Sequence, residues 1–141
     1  MEREAEKELF PKAVEYDIGV IVRIPLLFGL LTGKFDRSSK FGKNDHRNWN
    51  LSPENLNKYL TNLEKMKPFF KKYRHYSMAQ LALRFCISHP ACHTAIPGGK
   101  TSKQVNENIS ASEIDFLKYD DFPSIESVSY THLRAHETKA N

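Results

Sequence analysis

The most informative segment of the chain is Ile96-Pro97-Gly98-Gly99-Lys100-Thr101-Ser102-Lys103-Gln104-Val105-Asn106-Glu107-Asn108. A short apolar segment ends at Ile96 and runs into Pro-Gly-Gly, and Val105 and Ile109 then follow four residues apart. This order predicts a strand, a tight turn and a helix that Thr101 or Ser102 caps. Free N–H groups at the helix start, the helix dipole and nearby lysines suit a phosphate. An ordinary loop with a capped surface helix fits the same residues.

A second loop with turn glycines lies upstream, after a run of β-branched residues. The run at residues 18–24, Ile-Gly-Val-Ile-Val-Arg-Ile, predicts a strand that is buried on both faces, as in a parallel sheet. Residues 25–35 are mostly apolar, and Lys34 is the one cation among them. Polar residues 36–50 show no period and predict a long loop of the kind that is usually functional or mobile. We expect Trp49 to anchor that loop or to line the substrate side.

Helical periodicity and caps account for the other segments. Residues 2–16 form an amphipathic helix, Ser52 and Pro53 open a second, and Ser77 caps a third that stops at His89 and Pro90. The inward positions are expected to be Leu56, Leu60, Leu63 and either Met66 or Lys67 in the second helix, and Met78, Leu81, Ala82, Phe85 and Cys86 in the third. A short surface helix over residues 111–117 is expected, with Ser112 as its cap and Asp115 three residues on.

Composition limits the class of protein. The 141 residues, 40% hydrophobic and 27% charged, suit one globular domain but fall short of the roughly 250 residues of a closed (β/α)8 barrel. The net charge of +4 is dispersed among acidic residues, which argues against nucleic-acid binding. The two cysteines show no pairing pattern and suit a reducing compartment. We see no signal peptide and no membrane span, so the expected location is the cytoplasm.

The last residues differ in character from the rest. We expect one domain over residues 1–122 and a tail over residues 123–141. The tail contains Val-Ser-Tyr-Thr-His-Leu-Arg-Ala-His-Glu-Thr at residues 128–138, which resembles a translated sequencing-library adapter. A disordered natural tail is the alternative. His132 and His136 are therefore not interpreted as a metal pair, and no metal site is predicted around His89, Cys92 and His93 either.

With both loops in view, the chain resembles the C-terminal part of an aldo-keto reductase, in a bacterial branch that is similar to potassium-channel β-subunits. Four blocks carry the resemblance: residues 19–35, Asp45-His46-Arg47, residues 78–85, and Ile96-Pro97-Gly98 with Gln104, Glu107 and Asn108. The resemblance implies an α/β fold, the C-terminal part of a (β/α)8 TIM barrel, incomplete here with about two strands plus helices. It implies binding of NADPH and reduction of a small aldehyde or ketone. The family's catalytic Asp, Tyr, Lys and His lie on earlier strands, so no catalytic residue is assigned here.

The resemblance also implies which residues bind the cofactor. Those flanking the nicotinamide and pyrophosphate are Arg23, Ile24, Pro25, Leu26, Leu27 and Phe28, and those reaching the pyrophosphate are Lys34 and Arg47. Those holding the 2′-phosphate are Gly98, Lys100 and Gln104, and those at the adenine are Glu107 and Asn108. Three cations near such a dinucleotide favour NADPH over NADH. Leu27 and Phe28 stand where the family often has small residues, so the path of this loop is expected to be altered.

Three hypotheses follow for the whole chain. The first is a C-terminal fragment of an NADPH-dependent reductase that binds cofactor but does not turn over alone. The second is a cofactor-sensing regulatory subunit resembling a channel β-subunit, and the third is a short protein with a basic binding surface. The sequence leaves the oligomeric state open. Because the strands would lack neighbours, we expect the isolated chain to be insoluble, molten or oligomeric.

Overall fold

The computed structural model describes residues 4–114 and 117. Six α-helices and two strands lie in these residues, in the order α1 (Leu9–Glu15), β1 (Ile21–Arg23), α2 (Arg47–Asn50), α3 (Pro53–Lys65), α4 (Lys67–Lys72), α5 (Met78–Ser88), β2 (Thr94–Ile96) and α6 (Ser102–Ser110). Short 3-10 helices cover Glu4–Glu6, Leu27–Thr32 and Ala111–Glu113. The predicted tail at residues 123–141, its adapter-like segment and Asp115 lie outside the described residues.

The two strands pair in parallel, and their register sets where the loops that follow them begin. Their register matches Ile21 with Thr94, Val22 with Ala95 and Arg23 with Ile96. The backbone N–H groups of His93 and Thr94 both donate to the Val20 carbonyl, at 3.1 and 3.3 Å, and extend the pairing by one residue. Because both strands run the same way, the loops that follow them begin side by side at the carboxyl ends of the strands.

Burial of the first strand differs from the prediction. The strand covers three residues rather than residues 18–24, and the expectation that both of its faces are buried is wrong: Ile21 is 60% and Ile96 54% exposed. The opposite face is half-buried at Val22 and Ala95, and α5 packs against β2. Burial of the exposed face, on which Ile21 and Ile96 lie, needs a further layer, which the described residues do not supply.

A cavity of about 400 Å³ follows the free edge of β1. Its lining includes every residue from Val20 to Pro25, together with Phe10, Phe85 and Cys86. Successive strand residues point to opposite faces, so a cavity that touches all of them runs along the edge of the strand. Among the described residues β1 pairs with β2 alone, and this edge is therefore open to another strand.

The helices pack into two apolar clusters, and the predicted inward faces of α3 and α5 are confirmed. The buried members of the first are Met66, Tyr73, Leu81, Phe85, Ile114 and Leu117. The buried members of the second are Leu30, Leu51, Leu56 and Tyr59. The starts of α3 and α5 were also predicted correctly, whereas the helix predicted over residues 2–16 is confirmed only in part, because α1 begins at Leu9. Ser52 accepts from the Asn55 N–H at 3.3 Å, and Ser77 and Gln80 form a reciprocal capping box.

The segment after α6 contradicts the sequence interpretation. Ser112 lies inside the 3-10 helix and donates to the Ile109 carbonyl at 2.8 Å, so it is not the predicted cap. Leu117, expected near the surface, is only 1% exposed and belongs to the first apolar cluster. Its carbonyl accepts from the Ser88 hydroxyl at 3.3 Å, which ties the segment to the end of α5.

Neither a membrane helix nor a metal cluster is found in the part of the chain that the structure describes. None of the described helices has the length and apolarity that a bilayer crossing requires. Within the same residues, no group of three or more His, Cys, Asp and Glu side chains could hold a metal ion.

The two free cysteines are expected to differ in reactivity. Burial raises the pKa of the Cys86 thiol to about 12, and it raises the pKa of the less buried Cys92 thiol as well. The thiolate is the nucleophile, so at pH 8 we expect Cys92 to be alkylated at least about tenfold faster than Cys86. Time-resolved iodoacetamide labelling with peptide mass spectrometry measures both rates. Equal rates in urea are the control, and faster labelling of Cys86 in the folded chain would contradict the expectation.

Candidate cofactor-binding site

The loop after β1 has an unusual backbone. Ile24, Leu27 and Phe28 have φ values of 55°, 45° and 56°, in the left-handed region that side chains other than glycine seldom adopt. Two consecutive turns produce this path: the Leu27 N–H donates to the Ile24 carbonyl at 3.0 Å, and the Gly29 N–H to the Leu26 carbonyl at 2.9 Å. Backbone strain of this kind is concentrated at binding and catalytic sites.

Strain at Ile24 gives a stability prediction. A β-branched residue in the left-handed region costs on the order of 1–3 kcal/mol, and glycine relieves that cost. Ile24 is 49% exposed, so its side chain contributes little burial. We expect Ile24→Gly to leave the free energy of unfolding unchanged or to raise it by up to about 1 kcal/mol. The matched control is Ile21→Gly, because Ile21 is 60% exposed but is not among the residues with positive φ. Urea unfolding measures both variants, and equal destabilisation would show that Ile24 is not strained.

Two cations share a pair of aromatic rings in the long loop. Phe35 and Phe41 meet edge to face with ring centroids 5.2 Å apart, and we call this pair the aromatic platform. The guanidinium carbon of Arg47 lies 4.8 Å from the Phe41 centroid and 5.6 Å from the Phe35 centroid. The Lys34 ammonium lies 5.0 Å from the same Phe35 centroid. The platform thus brings together the two residues that the resemblance places at the pyrophosphate.

Asp45 fixes the Arg47 side chain on this platform. Its carboxylate accepts from the Arg47 backbone N–H at 2.9 Å, from Nε at 2.9 Å and also from Nη2. The hydrogen bonds from the Arg47 side chain hold the pKa of Asp45 well below its usual range. Both side chains are half-buried.

Lys34 folds back over the strained loop because residue 29 is a glycine. A Cβ at Gly29 would lie 3.2 Å from both Cε and Nζ of Lys34. Gly29 itself has a φ of 92°, so a side chain there would be strained as well as crowded. The imidazole of His46 meets the Phe28 ring at 5.5 Å, which joins the long loop to the strained one.

Trp49 does not have the first of the two roles that the sequence suggested for it, and the second, lining the substrate side, stays a prediction. The Trp49 side chain is 73% exposed, so the prediction that Trp49 anchors the loop is wrong. Phe35 and Phe41, both half-buried, provide the anchoring instead. The sequence reasoning missed Phe35, Phe41 and Asp45 as contributors to the site. The signals were present: one phenylalanine, Phe35, directly before the polar stretch and another, Phe41, within it, and an aspartate two residues before an arginine.

The second loop closes on itself around the start of α6. The Lys100 N–H donates to Gln104 Oε1 at 2.7 Å, and Asn108 Nδ2 donates to the Gly98 carbonyl at 3.4 Å. Thr101, rather than Ser102, is the cap, and it accepts from the Gln104 N–H at 3.2 Å. The loop therefore brings together four residues of the predicted 2′-phosphate and adenine sites.

Gly99 is closely packed where the loop meets α6. A Cβ at Gly99 would lie 3.0 Å from Val105 Cγ2, closer than an ordinary contact. Gly98 faces open space, because a Cβ there would meet nothing within 4 Å. The backbone at Gly98 is accordingly accessible to a ligand.

The remaining predicted residues occupy varied positions. Arg23 is exposed on β1, Pro25 is buried, Leu26 is half-buried, and Glu107 is half-buried on α6. Pairing of Arg23 with Ile96 places the starts of both loops next to each other.

The two loops offer three cationic side chains, Lys34, Arg47 and Lys100, and such groups suit a ligand that carries phosphates. Among the described residues neither Lys34 nor Lys100 has a carboxylate partner, whereas Arg47 is paired with Asp45. Lys34 and Lys100 are therefore available to an anion without breaking an ion pair.

A parallel sheet whose loops gather cations at the carboxyl ends of its strands is typical of α/β-barrel enzymes that bind phosphorylated ligands. The model of the Aldo/keto reductase family matches residues 1–129. The chain belongs to the aldo/keto reductase family, and its two strands and helices are part of a (β/α)8 barrel.

Individual relatives match at moderate identity. A probable voltage-gated potassium channel subunit beta from Arabidopsis thaliana is 29% identical over 115 residues, which cover 77% of this chain and 34% of that protein. An NADH-specific methylglyoxal reductase from Escherichia coli is 30% identical over 121 residues, covering 85% of this chain and 36% of that protein. An uncharacterized oxidoreductase from Bacillus subtilis is 30% identical over 118 residues, covering 84% of this chain and 34% of that protein. The chain thus spans about a third of the length of these relatives.

A solved structure supports the fold. The glycerol dehydrogenase from Gluconobacter oxydans superimposes with a TM-score of 0.73 at 26% sequence identity. The match covers 89% of this chain and 38% of that chain. Most of this chain is therefore similar to a part of a complete barrel enzyme.

Proposed function

We propose that this chain carries the phosphate-binding part of the cofactor site of an NADPH-dependent reductase, in a protein that converts aldehydes or ketones to alcohols. The observation that supports it best is the pairing of Arg23 with Ile96, which starts both cation-bearing loops at one sheet edge. When bound, the cofactor supplies the hydride. The residues of this chain bind and orient the cofactor.

Each loop has a distinct part in the proposal. Lys34 and Arg47, held on the aromatic platform, bind the pyrophosphate that NADH and NADPH share. Lys100 precedes the Thr101-capped start of α6, where the helix dipole and the lysine both favour a negative charge. That position suits the 2′-phosphate, which NADPH alone carries.

The preference for NADPH rests on Lys100 rather than on family membership. The E. coli relative is named as NADH-specific, so relatives at this identity differ in nucleotide. A cation beside a helix N-terminus gives the extra phosphate a favourable contact that NADH cannot make. Lys100 is exposed and its backbone N–H is already bonded to Gln104, so its side chain can reach outward from a fixed turn.

A regulatory subunit is the second candidate. Two plant relatives are named as probable channel β-subunits, at 29% and 30% identity. The cofactor site would be the same, and only the consequence of binding would differ. In either case the unpaired cysteines suit the cytoplasm.

Titration of the full 141-residue chain with NADPH and NADH, followed by cofactor fluorescence, tests the proposal. We expect NADPH to bind at least about tenfold more tightly than NADH, as one additional charge-assisted contact would give. We expect no oxidation of NADPH when a small aldehyde is added. Failure of the chain to bind either nucleotide, when cooperative unfolding by circular dichroism shows that it is folded, contradicts the proposed function, and equal affinities contradict the NADPH preference alone. Turnover by this chain would contradict the assignment of the catalytic groups to other strands.

A further inference from the structure

We propose that Asp45 is a positioning residue: it holds the Arg47 guanidinium in the orientation in which its remaining N–H groups bind a phosphate of the cofactor. This inference rests on the proposed function. It adds a role for a residue that binds the arginine and does not itself contact the anion.

The hydrogen bonds show which donors of Arg47 remain. Asp45 takes the Nε proton and one proton of Nη2, so the carboxylate occupies one edge of the planar guanidinium. A guanidinium has five N–H donors, and the three on the other edges are left. Among the described residues none of those three has an acceptor. They are the donors that a phosphate oxygen can use.

Two independent contacts fix the orientation of the group. The rings of the aromatic platform lie 4.8 and 5.6 Å from Arg47 Cζ and confine the position of the guanidinium. The contacts to Asp45 fix its rotation. A free arginine side chain loses up to roughly 2 kcal/mol of rotamer entropy when it is ordered. Here the ordering precedes ligand binding, which is the condition under which preorganisation raises affinity.

The carboxylate also has an effect of opposite sign. Its negative charge next to Arg47 reduces the attraction that the arginine exerts on a phosphate. If this effect were larger, removing the charge would tighten binding of NADPH. If the positioning effect is larger, removing the charge weakens binding of NADPH. The direction of the change in Kd therefore decides between the two effects.

Asp45→Asn is the central variant, and Asp36→Asn is its matched control. Asp36 lies in the same loop, and its carboxylate bonds to Ser38 and Ser39 rather than to a cation. Both substitutions raise the net charge by one unit. We expect the Kd for NADPH to rise about tenfold in D45N and to stay the same or fall slightly in D36N. Equal or tighter binding in D45N than in the wild type overturns the proposal.

A second pair of variants separates positioning from a general role in folding. Asp45 also accepts the Arg47 backbone N–H at the start of α2, so its loss could loosen the loop. Positioning acts only through the Arg47 side chain. We therefore expect D45N to have no further effect on the Kd in an Arg47→Ala background. A further loss in that background equal to the loss in the wild-type background overturns the proposal. A wild-type chain that does not bind NADPH overturns the proposed function instead, and thermal unfolding by circular dichroism shows that each variant is folded.

Discussion

Replacing Leu81 with alanine is expected to lower the free energy of unfolding by about 2–5 kcal/mol, the range for a buried leucine that leaves a cavity. Leu81 is 2% exposed and lies in the cluster with Met66, Phe85 and Leu117. Domains have only about 5–15 kcal/mol of stability in total, so a loss of this size removes a large part of it. We therefore expect loss of cooperative unfolding, measured by far-UV circular dichroism against urea concentration.

The exposed Leu9 supplies the control for that experiment. Leu9→Ala removes the same atoms from a side chain that is 58% exposed, so it leaves no closed cavity. We expect a loss of about 0.5 kcal/mol or less. Similar losses at both positions would mean that the cluster around Leu81 is loosely packed, as in a molten state.

The features that were predicted from sequence depend on neighbours in sequence. A capping box needs only Ser77 and Gln80, three residues apart, and the inward face of α5 follows from the helical repeat. The loop before α6 is similar, because Lys100 and Gln104 are four residues apart and Gly98 and Asn108 ten. Local spacing is sufficient for these contacts. The cap at Ser77 and the inward face of α5 were expected from the sequence, whereas before α6 only the strand, the turn and the capped helix were expected, and not these two hydrogen bonds.

The features that were missed depend on distant parts of the chain. Whether Ile21 is buried is set by the layers around the sheet, not by its β-branched neighbours. Leu117 is buried because α5 lies beneath it, some thirty residues earlier in sequence. The aromatic platform lies in a stretch without periodicity, so no repeat identified it. Lys34 and Arg47 were paired only through the family resemblance, and the structure adds the rings that bring them together.

The platform also explains why the long loop has a defined path despite its polar sequence. Arg37, at its start, bonds to Asn57 and Glu64 of α3 at 2.7 and 3.0 Å. Phe35 and Phe41 pack against the second apolar cluster, and Asp45 holds Arg47. A loop attached at these points has lost much of its conformational entropy before a ligand binds.

The two phosphate sites are expected to respond to mutation in different ways. Arg47→Ala should weaken binding of NADPH and NADH alike, by about 10–100-fold, because both carry the pyrophosphate and a charged hydrogen bond contributes about 1.5–3 kcal/mol. Lys100→Ala should weaken NADPH by about tenfold and leave NADH unchanged, because only NADPH has a 2′-phosphate. Fluorescence titration of both variants with both nucleotides gives four affinities, and the pattern among them assigns each loop to its phosphate.

Lys103→Ala is the control for Lys100, because Lys103 is an exposed lysine of the first turn of α6. If Lys100 contacts the 2′-phosphate directly, K103A should change the affinity for NADPH less than about twofold. If the basic helix start acts only through its long-range charge, K100A and K103A should weaken NADPH equally, and both losses should shrink as salt screens the charges. Equal loss would contradict the specific contact. A loss of NADH affinity in K100A would show that Lys100 supports the fold of the loop rather than recognition of the extra phosphate.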